Sequence, residues 1–305
     1  MTQTAQPVDE IQIGCHISTA GGVDKSPPRG AELGAGCMQI FTRNQMSWSH
    51  KDLGDAEIKG FAAGVRQHGI GTVMSHDSYL INLCSPDPDK HAKSLAGFMA
   101  EVERCTRLGI GLLNFHPGAH MGKGVEWGIA TIADSLNRVT AAFPDTPVKL
   151  VLETVAGQGS TVGRSFAELA AILERLEQPQ RFGICVDTAH VFAAGYAIDT
   201  EAGWNTTWEE FERLLGLEKL LAFHVNDSKV KRGSHVDRHA LIGRGHIGPD
   251  AFLRLVTDPR TRCVPMMLET PAGEGGYAAE IAWLTAAAHG EVPPLPEIAE
   301  VKRGY

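Results

Sequence analysis

Six short apolar runs in this chain each end in a side chain that can bind a divalent metal ion. An apolar run of about four to eight residues is typical of a buried β-strand, whose end holds a polar side chain in a fixed, partly solvated position. One such ending does not by itself indicate a metal site, because a single histidine at a strand end is more often hydrogen-bonded than bound to a metal. Six endings in one chain predict strand ends that converge on a metal centre. The endings are His76, His116, Glu153, Asp187 with His190, His224 and Glu269.

Eight segments have the pattern of buried strands, and helical patterns separate most of them. Several strand segments are continuously apolar, as in parallel sheets covered on both faces. Eight strands alternating with helices favour an α/β fold, a single (β/α)8 TIM barrel with its active site at the C-terminal ends of the strands. A doubly wound open sheet is the structural alternative. Ser165 and Glu168 predict a capping box at the start of one helix. The strand segments are 11–17, 37–42, 72–76, 111–116, 148–153, 182–187, 220–225 and 264–269, and the helical segments are 90–108, 126–142, 165–177 and 207–216.

The chain is predicted to fold as one domain over residues 11–289. Residues 1–10 are polar and acidic, so we expect a disordered extension and no signal or transit peptide. The proline-rich residues 290–305 predict an extended surface tail. No apolar stretch approaches the roughly 18 residues of a membrane span. The six cysteines are scattered without a CxxC pair, which indicates a reducing, cytoplasmic compartment and no disulfide framework.

The candidate ligands carry nitrogen and carboxylate oxygen but no cysteine sulfur. This donor set favours catalytic zinc, manganese or iron over a closed structural zinc site. In Asp187-Thr-Ala-His190, two side chains can leave one strand end toward different ions. Asp237 and His239 lie on one side of an extended segment, so they can chelate one ion. With these, nine candidates exceed what one ion can bind, and the sequence predicts two or three ions.

The formal net charge of −8 at first argues against a nucleic-acid partner. Bound cations can reverse the local electrostatics of a site, however, and three divalent ions would offset most of this charge. The segment 226–246 is also locally basic, as expected for a loop that positions nucleic acid through its phosphates. A solvated loop without a partner is the alternative. The basic side chains are Lys229, Lys231, Arg232, Arg238 and Arg244.

The motifs around these residues resemble the endonuclease IV family, the zinc-dependent apurinic/apyrimidinic (AP) endonucleases. The resemblance runs from about residue 11 to residue 285, and the segment 224–248 is its most specific part. The motifs are GCHISTAGG (14–22), FTRNQMSW (41–48), SHDSYLINL (75–83), NFHPGAH (114–120), ETVAGQGS (153–160), CVDTAHVFAAGY (185–196), HVNDSKVKRGSHVDRHALIGRGHIG (224–248) and LET (268–270).

This resemblance implies a barrel that binds three Zn²⁺ ions, with Mn²⁺ as an alternative at one or more sites. It implies cleavage of the phosphodiester 5′ to an abasic site in duplex DNA, which leaves a 3′-hydroxyl and a 5′-deoxyribose phosphate. It also implies removal of blocking groups from 3′ ends during base excision repair. The ligand sets carried over from the family are His76, His116 and Glu153 for the first zinc; Glu153 as a bridge with Asp187, His224 and Glu269 for the second; and His190, Asp237 and His239 for the third.

The resemblance further implies roles in catalysis and lesion recognition. Glu153, Asp187 and Glu269 are expected to be the catalytic carboxylates, and no separate general acid or base is assigned. An abasic nucleotide must leave the duplex to enter a barrel mouth. Tyr79 and Leu80 are therefore candidate wedges in the base stack, with packing on the barrel rim as the alternative.

The segment FTRNQMSW departs from the family pattern at Met46, where some members carry a basic residue. A methionine can wedge into a base stack but cannot contact a phosphate, so Met46 predicts a different kind of DNA contact. Arg43 in the same segment is a further candidate for DNA binding. His16, at the end of the first strand, is expected to contact a phosphate or support a metal ligand.

The expected partner is duplex DNA with abasic or 3′-blocked damage, bound by a monomer at the nucleoid in the cytoplasm. Two other functions remain open. Metal-dependent sugar isomerases and epimerases use similar barrels, but they need one or two ions and leave Asp237 and His239 without a purpose. A lesion-binding protein without turnover is the second alternative, and the complete set of ligand residues argues against it.

Overall fold

The computed structural model of the chain describes residues 11–49 and 51–300. Within these ranges, eight parallel strands pair in chain order, and the first strand also pairs with the last. The sheet is therefore closed, which confirms the predicted (β/α)8 barrel and excludes an open sheet. The strands are β1 (Ile13–His16), β2 (Cys37–Ile40), β3 (Val73–His76), β4 (Leu112–Phe115), β5 (Lys149–Glu153), β6 (Phe182–Asp187), β7 (Leu220–Val225) and β8 (Met266–Leu268).

Helices connect the barrel strands and cover their outer faces. The helical patterns at 90–108 and 126–142 correspond closely to α3 and α4, whereas α5 ends four residues earlier than predicted and α7 begins six residues earlier. The described part of the chain contains α1 (Ser26–Glu32), α2 (Asp55–Gln67), α3 (Pro88–Leu108), α4 (Val125–Ala142), α5 (Phe166–Leu173), α6 (Thr188–Ala194), α7 (Glu201–Leu214), α8 (Pro249–Thr257) and α9 (Gly273–Ala288).

The capping box predicted for α5 forms in one direction only. The Ser165 hydroxyl accepts a hydrogen bond from the Glu168 N–H at 3.2 Å. The Glu168 carboxylate does not return to Ser165; it accepts from the N–H groups of Gly163 and Arg164 at 2.8 and 3.2 Å. The Glu168 carboxylate therefore stabilises the turn before the helix instead of accepting from the N–H of the cap residue, as it would in a complete capping box.

Alternation of side chains along each strand puts every second residue inside the barrel. One interior layer is apolar and fully buried, and its members are Cys37, Met74, Val151, Cys185, Ala222 and Met267. Two residues further along, the same face of each chain segment carries a polar residue at the mouth of the barrel. These polar residues are Gln39, His76, Glu153, Asp187, His224 and Glu269. The strand period therefore aims one polar side chain per segment at the mouth.

Short antiparallel ribbons fold the long loops over the mouth. The loop after β7 returns to the strand ends because Asp227–Ser228 pairs with His239–Ala240. The Asp227 carboxylate holds the far end of this loop, accepting hydrogen bonds from Gly245 and Ile247 N–H at 2.9 Å each. A second ribbon joins Gly118–Ala119 to Thr161–Val162.

The segment after α9 runs without helix or strand to residue 300. Leu295 and Ile298 are half-buried against the core, and Trp283 Nε1 donates a hydrogen bond to Pro293 O at 3.0 Å. Residues 1–10, expected to be a disordered extension, and residues 301–305 of the expected tail lie outside the described residues. Among the helices of the described ranges, none is long and apolar enough to cross a membrane.

Candidate metal centre

The predicted ligand residues meet at the mouth of the barrel in three overlapping groups. In each group, the ligand atoms all lie within 4.8 Å of one another. Strand ends position the central members, since β3, β5 and β6 end at His76, Glu153 and Asp187. The groups are His76, His116 and Glu153; Glu153, Asp187, His224 and Glu269; and Asp187, His190 and His239.

Glu153 lies between the first two groups and presents one oxygen to each. Its Oε2 is 3.3 Å from His76 Nε2 and 3.5 Å from His116 Nε2. Its Oε1 is 3.0 Å from His224 Nδ1. The carboxylate is buried, with 1% of its side chain exposed. Glu153 therefore has the geometry of a carboxylate shared by two ions.

Asp237 lies with the third group, on the solvent side. Its Oδ2 is 3.2 Å from His190 Nε2, and its Oδ1 is 3.2 Å from His239 Nε2. Asp187, at the buried end of β6, also lies in this group, with its Oδ2 at 3.6 Å from His239 Nε2. The loop after β7 thus delivers Asp237 and His239 to a histidine that α6 places beside the strand ends.

Hydrogen bonds fix the tautomers of four histidines at the centre. A carbonyl oxygen only accepts, so an imidazole nitrogen facing one must carry the proton, and the other nitrogen keeps its lone pair for a cation. Three of these histidines donate from Nδ1 to a backbone carbonyl, and His224 donates from Nε2 to the Gln39 amide oxygen at 2.7 Å. The three backbone pairs are His76 with Asp77 at 2.7 Å, His190 with Thr154 at 2.8 Å and His239 with Glu269 at 3.4 Å.

Three amide side chains orient the carboxylates, and none of them was predicted from the sequence. Each donates from its amide nitrogen to one carboxylate oxygen, and each is fully buried. A signal was present, because Gln39 and Asn114 are polar residues within apolar strand segments, on the inward face. The pairs are Asn114 with Glu153 at 2.6 Å, Gln39 with Glu269 at 2.6 Å and Asn226 with Asp187 at 2.8 Å.

The electrostatics of the centre require positive charge. Burial by itself raises the pKa of Glu153, but the neighbouring imidazoles of His224 and His116 outweigh burial and hold this pKa well below its usual range. Buried polar atoms normally have a hydrogen-bond partner, yet several here face one another without one. Divalent cations would be coordinated by the lone pairs of these atoms and would balance the negative charge of the carboxylates. The atoms are Glu153 Oε1, His190 Nε2, His224 Nδ1 and His239 Nε2.

The candidate wedge residues lie on the rim of the mouth. Met46 and Tyr79 are exposed over 68% and 54% of their surface, and Leu80 is half-buried. The Tyr79 ring is centred 5.2 Å from the ring of His76. Tyr79 therefore stands beside the first ligand group, and Met46 is exposed on a second loop.

Arg43, which was predicted to contact DNA, is largely buried below this rim, where it lines the wall of an open cleft. Its guanidinium is only 4% exposed and donates from Nε to Glu101 Oε2 at 2.9 Å. A further hydrogen bond runs from Nη2 to Gly97 O at 3.0 Å. These contacts show that Arg43 anchors the loop that carries Met46.

The five basic residues of the loop after β7 are exposed, but several already have partners. Lys229 Nζ lies 2.7 Å from Glu300 Oε2, and Arg232 Nη1 lies 3.0 Å from Asp199 Oδ1. Arg244 Nη2 donates to Pro296 O at 3.2 Å. Of the other two, Arg238 Nη1 donates to the carbonyl of Asp237 at 2.5 Å, and Lys231 extends from the same loop. The loop is a basic surface whose charges are partly compensated.

His16 lies at the mouth on the side of β1. Its Nδ1 is 3.0 Å from Gln39 Nε2 and 3.9 Å from Glu269 Oε1. His16 also lines an open cleft of about 740 Å³, whose walls include Phe41 and Tyr277. It therefore contacts a ligand-supporting amide and faces space that a substrate could enter.

A closed parallel barrel whose strand ends gather overlapping histidine and carboxylate groups defines a metal-binding barrel of the xylose isomerase-like class. That description, xylose isomerase-like TIM barrel, belongs to the family that matches residues 28–287. A protein named probable endonuclease 4 from Halorhodospira halophila is 60% identical over 288 residues, which cover 94% of this chain and 97% of the relative. A protein of the same name from Geobacter sulfurreducens is 45% identical over 86% of this chain and 88% of its own length.

Solved structures give the same result. The crystal structure of endonuclease IV from Thermus thermophilus has a TM-score of 0.82 and 30% identity, and covers 92% of this chain and 100% of that structure. A D-tagatose 3-epimerase-like protein has a TM-score of 0.70 at 15% identity, over 92% of this chain and 99% of its own, and shares the fold alone. The chain belongs to the endonuclease IV family, which confirms the resemblance seen in its motifs.

Proposed function

We propose that this chain is an AP endonuclease of base excision repair, hydrolysing the phosphodiester 5′ to abasic sites in duplex DNA. The products are a 3′-hydroxyl and a 5′-deoxyribose phosphate, and the same site clears blocked 3′ ends. One observation carries the proposal: Glu153 and Asp187 are each shared between two of three adjacent ligand groups. Closely spaced cations are what phosphodiester hydrolysis uses, and membership of the endonuclease IV family supports this reaction.

The proposed cofactors are three Zn²⁺ ions, with Mn²⁺ as an alternative at one or more sites. Nitrogen and carboxylate donors with fixed lone pairs suit either metal. When bound, such ions neutralise the phosphate, activate a water and stabilise the departing 3′ oxygen. The proposed ligand sets are His76, His116 and Glu153; Glu153, Asp187, His224 and Glu269; and His190, Asp237 and His239.

The carboxylates of the chain set the spacing of this centre. Glu153 directs separate oxygens to two groups, so it would hold the cations bound by these groups close together. Asp187 also belongs to two groups, the second and the third, and Glu269 completes the second. We therefore propose Glu153, Asp187 and Glu269 as the catalytic carboxylates and assign no separate general acid or base.

The rim and the loop after β7 are proposed to hold damaged duplex DNA. Met46, Tyr79 and Leu80 would wedge into the base stack beside the extruded abasic nucleotide, which is cheaper to unstack than an intact one. The exposed basic residues of the loop would contact phosphates without reading sequence, and His16 would contact the strand in the neighbouring cleft. The contacting basic residues would be Lys229, Lys231, Arg232, Arg238 and Arg244.

A sugar isomerase or epimerase is less well supported by the site. The third group, with His190, Asp237 and His239, adds ligands that a one- or two-ion sugar site does not need. The ligands named here also come from a single chain, so we propose that a monomer is sufficient. Its expected place of action is the nucleoid in the cytoplasm.

A synthetic duplex with one tetrahydrofuran abasic analogue tests the proposal. The zinc-loaded protein should cut the strand once, 5′ to the analogue, and leave a 3′-hydroxyl that a DNA polymerase can extend. A chelator should abolish the cut, and the undamaged duplex of the same sequence should stay intact. A protein that binds zinc but leaves the analogue strand uncut would refute the endonuclease function.

A further inference from the structure

The mouth of the barrel carries a ring of polar side chains, one from each strand or the residue just after it. Several members are direct neighbours in the strand register, including His16 with Gln39 and Asp187 with His224. Five of the eight are candidate metal ligands. The ring members are His16, Gln39, His76, Asn114, Glu153, Asp187, His224 and Glu269. Gln39 is the contribution of β2, a strand that supplies no candidate ligand of its own.

Gln39 contacts two ligands of the same group. It is fully buried, and its Nε2 donates to Glu269 Oε1 at 2.6 Å and lies 3.0 Å from His16 Nδ1. Its Oε1 accepts from His224 Nε2 at 2.7 Å. An ionised carboxylate only accepts, so the amide nitrogen must face Glu269 and the amide oxygen must face His224.

This orientation decides which nitrogen of His224 carries a proton. Because Nε2 donates to Gln39, Nδ1 is the nitrogen that offers a lone pair when the ring is neutral. That Nδ1 is a buried atom without a hydrogen-bond partner, 3.0 Å from Glu153 Oε1 and 3.5 Å from Glu269 Oε2. One amide thus prepares a histidine on β7 and a carboxylate just after β8 for the same cation.

We propose that Gln39 is a positioning residue of the metal centre, which sets the His224 tautomer and the Glu269 orientation for the ion of the second group. The inference rests on the proposed function only in placing a divalent cation there. By comparison, Asn114 donates a hydrogen bond to a single candidate ligand, Glu153. Gln39 couples two ligands, so its loss disturbs one ion from two sides.

Zinc affinity is the first test, because it needs neither DNA nor turnover. Metal-free Gln39→Met keeps the size of the side chain and removes every hydrogen bond of the amide. In a zinc titration against a chromophoric chelator, one ion should bind about 10–100-fold more weakly than in the wild type, as for other residues that orient metal ligands. Thr261→Val is the matched control, since it removes a buried hydrogen bond to Leu255 O in the segment before β8, away from the mouth. Unchanged affinity for all ions in Gln39→Met would overturn the proposal.

The second test uses the wild-type protein, so it does not depend on whether the variant folds. In zinc-loaded protein with ¹⁵N-labelled histidine, the His224 signal, assigned by its loss in His224→Gln, should show a protonated Nε2 and a zinc-bound Nδ1. A zinc-bound Nε2, or a protonated Nδ1 in the loaded protein, would contradict the role of Gln39. Normal zinc binding without nicking of an abasic duplex would refute the proposed function and leave the role of Gln39 standing.

Discussion

Replacing Glu153 by glutamine removes the carboxylate shared by two ligand groups and leaves its size almost unchanged. The side chain is 1% exposed and its two oxygens face different histidines, so both groups lose a charged ligand at once. Loss of a contact that merely orients a ligand costs about 10–100-fold in metal affinity. Loss of the ligand itself should cost at least this much in each group. When both ions must be present together, the expected fall in nicking at limiting zinc is about 10²–10⁴-fold.

The assay compares single-turnover nicking of a tetrahydrofuran duplex with fluorescence anisotropy of the same duplex, each over a range of zinc concentrations. Because Glu153 lies beneath the rim, we expect duplex affinity to change less than about tenfold. Glu103→Gln, an exposed change on α3, is the matched control and should behave as wild type. Equal losses of nicking and binding, or unimpaired nicking at limiting zinc, would refute the shared-carboxylate reasoning.

Three further changes test other parts of the structure. Burial raises the pKa of Glu280 to about 7, so its protonated form stabilises the fold below the unfolded pKa of about 4.5 and this stability is lost as pH rises through 7. In urea unfolding of metal-free protein, the loss of stability over that range should be about 3 kcal/mol smaller in Glu280→Gln than in the wild type. Glu300→Gln frees Lys229 from a half-exposed ion pair and should tighten duplex binding about two- to fivefold at low salt, measured by anisotropy against Glu297→Gln; equal binding by both variants would exclude Glu300 as a competitor. Met46→Ala removes an exposed rim side chain and should lower affinity for abasic duplex about tenfold while sparing undamaged duplex; an equal effect on both duplexes would argue against a wedge.

The strands and their ends were predictable because they follow from local physics. A parallel strand covered on both faces is continuously apolar, and it ends where the first polar side chain meets the mouth. All eight barrel strands overlap the predicted segments, and the ligand positions lie where those segments end. Asp237 and His239 also lie together as their spacing suggested, and His190 joins them, as the family resemblance implied.

Partners distant in the chain were not predictable in this way. Arg43 is a basic residue in a rim loop, and nothing local indicates that Glu101, on α3, pairs with it in the interior. Lys229 likewise meets Glu300 from the distant tail. Gln39 gave a visible signal, a polar residue in an apolar strand, but its two partners lie on strands that become neighbours only when the barrel closes.

The metal content of the protein tests the central claim most directly. Native mass spectrometry and elemental analysis should be made on protein purified without added metal and without chelators. The three overlapping ligand groups predict about three tightly bound transition-metal ions per chain, mainly zinc, and the loss of one ion in a variant that lacks both Asp237 and His239. Fewer than two tightly bound ions per chain would contradict a trinuclear centre.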